Sequence, residues 1–401
     1  MQPVKLTIPG AYWDTQLYSG RLYLFGRDNT ILTLNWDQLI ENLPVSDNVR
    51  LAATCAFQRS DFLYGNQWSL LFKDDEVRGL VTRKFDRLSK SKLIVDSHAI
   101  KTNSIERQDN PFPFPHADCT IYKKRIYIVG TSGLYSASCD KKARHAVSTR
   151  ITKAWDCPSH TLAASYNRVA LAAGAEGLYE YTIQYWEEFE NSPEGRKNPS
   201  LISPQQCSLC GWAFYSIFGS SPEGDGFLAA FRKNTEEIEE SDQWPRREFD
   251  RVVPGHEIFG ERGISWATQD KLCQAVRQTV HVVKYAPWFK GKSDKKEFAD
   301  LGTIKMPRKN GDIISGGVAM FGTVVECENT LVVLLSDGGN HVIPGEPINW
   351  RVYSRSKHYE NQLHAIYEDR IEIWSFNQDY FVDQKIKRSG VSYTGWWPNV
   401  K

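Results

Sequence analysis

The sequence lacks a long hydrophobic run, a surplus of charge and an apolar leader. No stretch of its 401 residues approaches the roughly 18 consecutive apolar residues that a membrane-spanning helix requires. The first residues, MQPVKLTIPGAYWD, have no apolar core of the kind that a secretion signal carries. Lys and Arg number 49 against 48 Asp and Glu, so no net field attracts DNA, RNA or an anionic membrane. These absences predict a soluble, cytoplasmic protein that has no membrane partner and no nucleic acid as a direct, sequence-specific ligand.

Neither the cysteine spacing nor any catalytic motif predicts a disulfide framework or an enzymatic reaction. The eight cysteines show no regular short spacing, which favours reduced thiols over a disulfide framework. There is no G-x-S-x-G elbow, P-loop, dinucleotide glycine fingerprint or H-E-x-x-H sequence. The acidic run Asp74, Asp75 and Glu76 lies where a tight turn between strands is expected, and we interpret it as a solvated turn. No catalytic residue is predicted from a motif.

What the chain does have is a repeated pattern. Each copy consists of an aromatic residue, a short turn that often ends in Arg, an apolar strand of about five residues, a turn with Gly or Asp, and a second strand. Eight copies recur at an average interval of about 50 residues. Their ranges are 17–34, 63–81, 121–137, 165–182, 214–231, 267–283, 325–343 and 366–382. Helical periodicity is scarce, so the pattern predicts successive hairpins.

The interval indicates which all-β architecture the hairpins build. A period of about 40 to 50 residues is typical of four-stranded propeller blades. In the third copy Ile126, Tyr127, Ile128 and Val129 are all apolar, so both faces of the strand need cover, which two neighbouring blades would supply. A pair of β-sandwiches and a barrel are the rival folds. The sequence therefore predicts one β-propeller over residues 1–401, with eight blades, or seven if a weaker copy is an insertion. Residues 4–9 are expected to complete the last blade.

The pattern resembles the WD40-like β-propeller superfamily in its broad sense, over nearly the whole chain. The Trp-Asp pairs at Trp13, Trp36 and Trp155 do not recur at equivalent places, and Kelch double glycines and sialidase Asp-boxes are absent, so no subfamily is identified. Rigid blades present many loops without needing a buried chemical centre. This favours a non-catalytic scaffold, adaptor, sensor or regulatory subunit that binds another protein or peptide in a multiprotein complex. The alternative is a channel-centred hydrolase or lyase, or a small-ligand binder, with or without a metal; His116, Asp118 and His160 are its first candidates.

Four irregular, polar segments separate the copies and are predicted to be long loops between blades. They span 99–118, 186–206, 232–256 and 286–311. One interpretation is that they are solvated connections. The other is that they dock a partner through Trp244, Trp288 and Phe289, because Trp and Arg dominate the energetic hot spots of protein interfaces.

Three pairs of metal-ligating residue types have the spacing of a zinc half-site. They are His116 with Cys119, Cys157 with His160, and Cys207 with Cys210. One turn can direct both members of such a pair to one ion. The simpler interpretation is that the cysteines pack as small apolar residues and the histidines form hydrogen bonds. No cofactor is predicted, and zinc is left open.

A basic triplet, Lys123, Lys124 and Arg125, could belong to a surface that binds anions or to a hairpin turn. The equivalent triplets in other copies, 19–21, 65–67, 328–330 and 368–370, are neutral, acidic or mixed. The position therefore requires residues that form turns, and a hairpin turn is predicted.

Overall fold

A computed structural model describes residues 2–64, 71–142, 144–183, 199–221, 225–233, 247–290, 296–307, 311–335 and 338–377. The chain divides into two compact units. The first comprises residues 1–110, 309–311 and 317–401, and the second comprises 111–308 and 312–316. In the described part of the chain, no helix is both long and apolar enough to cross a membrane.

The described residues form seven sheets, which we call blades 1 to 7 in chain order. The first six have four strands each. Their strands are Tyr12–Tyr18, Arg21–Gly26, Thr30–Asn35 and Ser104–Asp109 (blade 1); Asp118–Tyr122, Arg125–Gly130, Gly133–Ser138 and Thr152–Trp155 (blade 2); Thr161–Ser165, Arg168–Ala172, Leu178–Thr182 and Ser200–Ser203 (blade 3); Leu209–Ala213, Ser216–Ser220, Phe227–Lys233 and Arg247–Pro254 (blade 4); Ile264–Thr268, Lys271–Val276, Thr279–Tyr285 and Phe298–Lys305 (blade 5); Ile313–Ala319, Gly322–Cys327, Thr330–Leu335 and Asn340–Pro344 (blade 6).

Blade 7 is assembled from distant parts of the chain. Its first three strands are Asn349–Val352, Gln362–Ile366 and Arg370–Ser375. Val4–Pro9 pairs antiparallel with the third of these, from Val4 opposite Ser375 to Pro9 opposite Arg370. Leu93–Ile94 then adds a short parallel fifth strand to Val4–Pro9.

The predicted β-propeller of four-stranded blades is confirmed, and the count of seven confirms the alternative number rather than the preferred eight. The predicted count of eight was wrong because the copy at 63–81 was interpreted as a hairpin. This region holds the end of the helix Asp61–Tyr64, the 3-10 turn Leu71–Lys73 and the start of the helix Asp75–Ser89. It is part of a helical insertion between the third and fourth strands of blade 1, whose further helices are Trp36–Glu41, Asp47–Phe57 and Ser97–Asn103.

The acidic run at 74–76 starts a helix and is not a turn between strands. The Asp74 side chain accepts hydrogen bonds from the backbone N–H groups of Glu76 (2.8 Å) and Val77 (3.3 Å), which satisfies two donors that no helical carbonyl can reach. Asp75 and Glu76 occupy the first turn, where the helix dipole favours negative charge. The prediction of a tight turn was therefore wrong, since Asp is favoured both in turns and at helix starts.

Each of the four segments predicted as loops contains the fourth strand of a blade. These strands are Ser104–Asp109, Ser200–Ser203, Arg247–Pro254 and Phe298–Lys305. Most of their residues are exposed or half-buried, because only one neighbouring strand covers them. A strand of that kind needs no apolar run, so its sequence resembles a polar loop.

The basic triplet at 123–125 is confirmed as a hairpin turn. Tyr122 pairs with Arg125, and the two residues between them, Lys123 and Lys124, have φ values of 48° and 62°. Positive φ at both central residues defines the type I′ turn, whose twist matches that of paired strands. Lys124 contacts Asp140 at 3.1 Å, so its ammonium group is paired within its own blade.

A buried ion triad joins blades 3 and 4. The Arg168 guanidinium donates to Glu180 Oε1 at 2.6 Å, and the Arg247 guanidinium contacts Glu180 Oε2. Glu180 and Arg247 are almost fully buried, and Arg247 also lies 3.7 Å from the ring centre of Phe231. One carboxylate therefore compensates two guanidinium groups at this interface.

Side chains from blade 7 cap a helix of the insertion. The Gln362 amide donates to the carbonyl of Phe57, the last residue of the helix Asp47–Phe57, at 2.9 Å. The buried Asn361 amide donates to the carbonyls of Cys55 and Ala56 at 3.3 and 3.2 Å. These bonds satisfy carbonyls that the helix leaves unpaired at its end, so the insertion is attached to blade 7 by specific polar contacts.

A charge network fixes the residues that follow this helix. The carboxylate of Asp61 accepts two hydrogen bonds from Arg59, both 2.9 Å, and contacts His358 Nδ1 at 2.9 Å. Burial alone would raise the pKa of Asp61, but the hydrogen bonds from Arg59 and His358 outweigh it and lower the pKa below the usual value. The carboxylate is therefore more stable in its charged form in the folded state.

We expect Asp61→Asn to lower the free energy of unfolding by about 2 kcal/mol near neutral pH, since it removes charged hydrogen bonds. A lowered folded-state pKa contributes stability that is fully present above the unfolded value, about 3.9, and is lost as the pH falls through the folded value. The difference between wild type and variant should therefore shrink in acid. Urea unfolding between neutral and strongly acidic pH measures it, with the exposed Asp109→Asn as control; a difference that does not depend on pH would contradict the assignment.

Candidate protein-binding surface

A large aromatic side chain stands at the surface of blade 5. Trp288 lies in the 3-10 turn Pro287–Phe289, between the third and fourth strands of that blade, and is 47% exposed. Its ring packs edge-on against Phe214 of blade 4, with the ring centres 4.9 Å apart. Phe214 occupies the turn after the first strand of blade 4, with a φ of 51°. The Trp288 ring is thus held in position from one side and open to solvent on another.

The residues beneath this ring are rigidly packed. Phe214 also contacts Tyr285, with the ring centres 6.4 Å apart, and Tyr285 stacks on Phe298 at 5.4 Å. The buried Tyr285 hydroxyl is 2.9 Å from Ser216 Oγ of blade 4. Burial raises the pKa of Tyr285 above its usual value, so the hydroxyl stays protonated. Trp288 is therefore presented on a well-packed junction between two blades.

A β-bulge places a carboxylate beside Trp288. In the fourth strand of blade 4, Phe249 pairs with Phe231 and Arg251 pairs with Ala230, which leaves Asp250 as an extra residue. The Asp250 carboxylate contacts Lys290, two residues after Trp288, and lies 2.5 Å from both Arg232 and Arg251. The bulge thus links the outer strand of blade 4 to the Trp288 turn of blade 5.

The charges of this region are arranged with cations outside and carboxylates inside. The Asp250 side chain is 9% exposed, whereas that of Arg232 is 62% exposed. Burial alone would raise the pKa of Asp250, but hydrogen bonds from Lys290, Arg232 and Arg251 lower it to about 2. We call Phe214, Arg232, Asp250, Arg251, Trp288, Lys290 and Glu297 the Trp288 surface. Glu297 is a second, mostly buried carboxylate, which pairs with Arg251 at 2.7 Å.

The three predicted partner-binding residues have different outcomes. Trp288 is exposed, as a docking residue must be, but its role stays a prediction. Phe289 ends the same 3-10 turn, and its side chain lies outside the described part of the structure. Trp244 also lies outside the described residues. Sequence reasoning missed Phe214 and Asp250, because a turn and a bulge in blade 4 bring them to Trp288 and no local pattern signals that meeting.

The predicted metal ligands lie along blades 2 to 4. His116 and Cys119 are buried at the start of blade 2, and Cys207 is buried in the apolar core between blades 3 and 4. Burial raises the pKa of Cys207 to about 12, which disfavours the thiolate that binds zinc. Cys157 is half-buried and His160 is exposed.

Cys210 contacts two backbone carbonyl groups and a hydroxyl. Its Sγ lies 3.7 Å from the carbonyl oxygen of Ala170, 3.8 Å from that of Thr161 and 3.7 Å from Thr161 Oγ1. Burial raises the pKa of its thiol above the usual value. Among the described residues of the second unit, no three His, Cys, Asp or Glu ligand atoms lie within 4.8 Å of one another. A zinc site at these pairs stays a prediction.

Of the candidates for a channel-centred enzyme, Asp118 uses its side chain to connect two blades. The Asp118 carboxylate, in the first strand of blade 2, accepts a hydrogen bond from the backbone N–H of Leu162, in the first strand of blade 3, at 2.8 Å. The backbone N–H of His160 donates to the carbonyl of Ala172 at 2.8 Å. The Asp118 side chain thus joins the first strands of blades 2 and 3, whereas His160 contributes only its backbone here and its side chain is exposed.

Solved structures with a similar fold include two propeller domains. The β-propeller domain of Cps50 (Swd1) from Myceliophteria thermophila is 9% identical in sequence and has a TM-score of 0.48. The match covers 94% of this chain and 100% of that domain. The WD40 β-propeller domain of Doa1 is 9% identical in sequence and has a TM-score of 0.49, and the match covers 96% of this chain and 99% of that domain. No protein-family model matches the chain, and no curated protein matches its sequence. By the sheets described above, the described part of the chain has the fold of a seven-bladed β-propeller.

Proposed function

We propose that this propeller is a non-catalytic, cytoplasmic scaffold or adaptor that binds a partner protein through the Trp288 surface. The single observation that carries the proposal is the half-exposed indole of Trp288, held edge-on by Phe214 and followed two residues later by Lys290, which pairs with Asp250 as Arg232 and Arg251 do. Large aromatic residues on rigid supports are the side chains that dominate interface energies. The eight free cysteines support a reducing compartment.

The charge arrangement defines the chemistry of the partner. Arg232, Arg251 and Lys290 surround Asp250, and they are more exposed than the carboxylates they pair with. An incoming chain therefore meets positive charge around an apolar centre. The matching partner is an acidic segment that carries one apolar or aromatic side chain, which would pack on the exposed part of Trp288.

The position in the blades also supports a binding surface. Trp288 lies in the connection between the third and fourth strands of blade 5, and Phe214 in the turn between the first and second strands of blade 4. In an antiparallel four-stranded sheet these two connections lie at the same end of the blade. Loops at one end of a rigid sheet can vary without disturbing the core, which is why binding sites concentrate there.

We expect Trp288→Ala to weaken partner binding by about 30-fold, which corresponds to about 2 kcal/mol for an interface hot spot. The tagged protein and the variant are used for quantitative pull-down from the native cell with mass spectrometry, and the affinity for the captured partner is then measured. Leu201→Ala is the matched control, because Leu201 is 51% exposed on the outer strand of blade 3.

A second variant tests the charge of the partner. Arg232→Glu should weaken binding of the same partner and reduce its dependence on salt, because Arg232 is the most exposed cation of the surface. The proposal fails if Trp288→Ala retains every protein that the wild type and Leu201→Ala capture. If Arg232→Glu binds the partner as tightly as the wild type does, the proposal that the partner is acidic is wrong.

A further inference from the structure

A pocket of about 600 Å³ opens at the outer edge of blade 7, within the first unit. Its walls come from the strand Val4–Pro9, the end of the helix Asp75–Ser89 with the residues after it, and single residues of blades 6 and 7. The charged and aromatic residues that line it are Lys5, Asp86, Lys90, Lys92, His341 and Trp374. The volume lies within the range of about 300 to 1,000 Å³ that holds small organic ligands.

Strand register places two of the lysines on one face. Leu6 pairs with Leu93 in the parallel ladder, and both side chains are buried. Because side chains alternate along a strand, their neighbours Lys5 and Lys92 project from the opposite face, which is the pocket side. The backbone bond from Val95 N–H to the Thr7 carbonyl, 2.9 Å, holds the two strands together. The sheet thus fixes the backbone positions from which the two lysine side chains extend.

The aromatic wall of the pocket is also held in place. Lys5 Nζ lies 5.1 Å from the ring centre of Trp374, and the Trp374 indole N–H donates to Glu372 at 3.2 Å. The His341 ring lies 5.1 Å from the Trp374 ring and 5.8 Å from that of the buried Phe376. Burial lowers the pKa of His341, so the imidazole is neutral at physiological pH.

The pocket carries a surplus of positive charge. Glu372, behind the Trp374 wall, pairs with both Lys5 at 3.3 Å and Arg370 at 3.0 Å. Lys90 and Lys92 form no ion pair within the described part of the chain, and Asp86 is the carboxylate on the lining. The lining itself carries three lysines and one carboxylate, a formal surplus of two positive charges. Behind it, the Arg370 guanidinium is shared between Glu372 and Asp369. The negative end of the helix Asp75–Ser89 offsets about half a charge of this surplus.

We propose that this pocket binds a small organic phosphate monoester, with the phosphate held by Lys90, Lys92 and Lys5 and the organic group against Trp374 and His341. A phosphate monoester carries a charge of about −1.5 to −2 at pH 7 and three acceptor oxygens, which matches the surplus and the separate ammonium donors. A single carboxylate would leave at least one positive charge uncompensated. The concave shape and the aromatic wall formed by Trp374 and His341 favour a small molecule over a flat macromolecular surface.

The test is calorimetric titration of the full chain with glucose 6-phosphate at constant ionic strength, with glucose and inorganic phosphate as reference probes. We expect glucose 6-phosphate to bind more tightly than either. Lys92→Met and Lys90→Met should each weaken its binding by about tenfold, because each removes a charged hydrogen bond. Lys101→Met is the control: Lys101 is exposed on the neighbouring helix Ser97–Asn103 and does not line the pocket. Circular dichroism verifies that each variant is folded.

Any one of the following results would overturn the assignment. If glucose 6-phosphate binds no more tightly than glucose, the pocket does not recognise the phosphate group. If inorganic phosphate binds as tightly as glucose 6-phosphate, the pocket does not recognise the organic group. Equal weakening by Lys101→Met shows a diffuse charge effect, and unchanged binding in Lys92→Met removes the lysines from the site. Binding only to a phosphoserine peptide, or only to vesicles that contain a phosphorylated lipid, would assign the surface to a macromolecule instead.

Discussion

Glu180→Gln is expected to lower the free energy of unfolding by about 3–5 kcal/mol, the usual cost of leaving a buried charge without its partner. Glu180 is the carboxylate that pairs with both Arg168 and Arg247, and the Arg247 side chain is only 4% exposed. A neutral amide can accept a hydrogen bond, but it does not compensate a guanidinium charge inside the protein. Urea unfolding followed by tryptophan fluorescence measures the loss.

The control and a rescue variant separate this effect from a general loss of packing. Glu261→Gln makes the same change at an exposed position of the second unit and should change stability by no more than about 0.5 kcal/mol. Glu180→Leu combined with Arg247→Met replaces the buried pair with apolar side chains, and should recover much of the lost stability. Arg168, about one third exposed, can turn to solvent in that variant. If Glu180→Gln behaves like Glu261→Gln, the triad does not stabilise the junction of blades 3 and 4.

The sequence predicts the class of fold because the blades repeat one physical requirement. The second and third strands of each blade are covered on both sides, so they need apolar residues at successive positions. In blade 2, Ile126, Tyr127, Ile128 and Val129 are all buried, as their sequence implies. The turn at Lys123 and Lys124 also follows local rules, since short hairpin turns depend on a few residues.

The helical insertion was missed although its signals are present. Asp74 precedes two further acids at the helix start, and Val81, Phe85 and Leu88 are buried along one face at helical spacing. The preceding LYGNQWSLLF has aromatic and turn residues that match the hairpin pattern, so the repeat outweighed the helical period. A count of apolar positions at intervals of three and four over 75–89 favours the helix and gives seven blades.

The Trp288 surface and the pocket of blade 7 were beyond sequence reasoning for a different reason. Asp250 reaches Lys290 because a bulge adds one residue to a strand in the neighbouring blade. Lys5 and Lys92 are brought together by a two-residue parallel ladder between segments almost 90 residues apart. Such contacts depend on long-range pairing that no local pattern records, so single residues such as Trp288 can be proposed but their surroundings cannot.

Trp36→Ala is expected to lower the free energy of unfolding by about 3–5 kcal/mol, because it combines a large cavity with a lost hydrogen bond. Trp36 begins the first helix of the insertion and is fully buried. Its indole N–H donates to the Phe57 carbonyl at 2.6 Å, and its ring packs edge-on against Phe57 with the centres 6.4 Å apart. The same carbonyl accepts from Gln362, so the helix end that Trp36 holds within the insertion is also the one bonded to blade 7.

Trp36→Phe separates the two contributions to this loss. It keeps most of the aromatic volume but removes the indole N–H, and should cost about 1–2 kcal/mol. If the two variants lose equal stability, the hydrogen bond to Phe57 accounts for the effect and the cavity does not. If neither lowers the urea midpoint, the insertion is not stabilised through Trp36. If the Trp36 ring packs between helix and blade, Trp36→Ala should lose more stability than Trp36→Phe. The ring fills space that neither element can close alone.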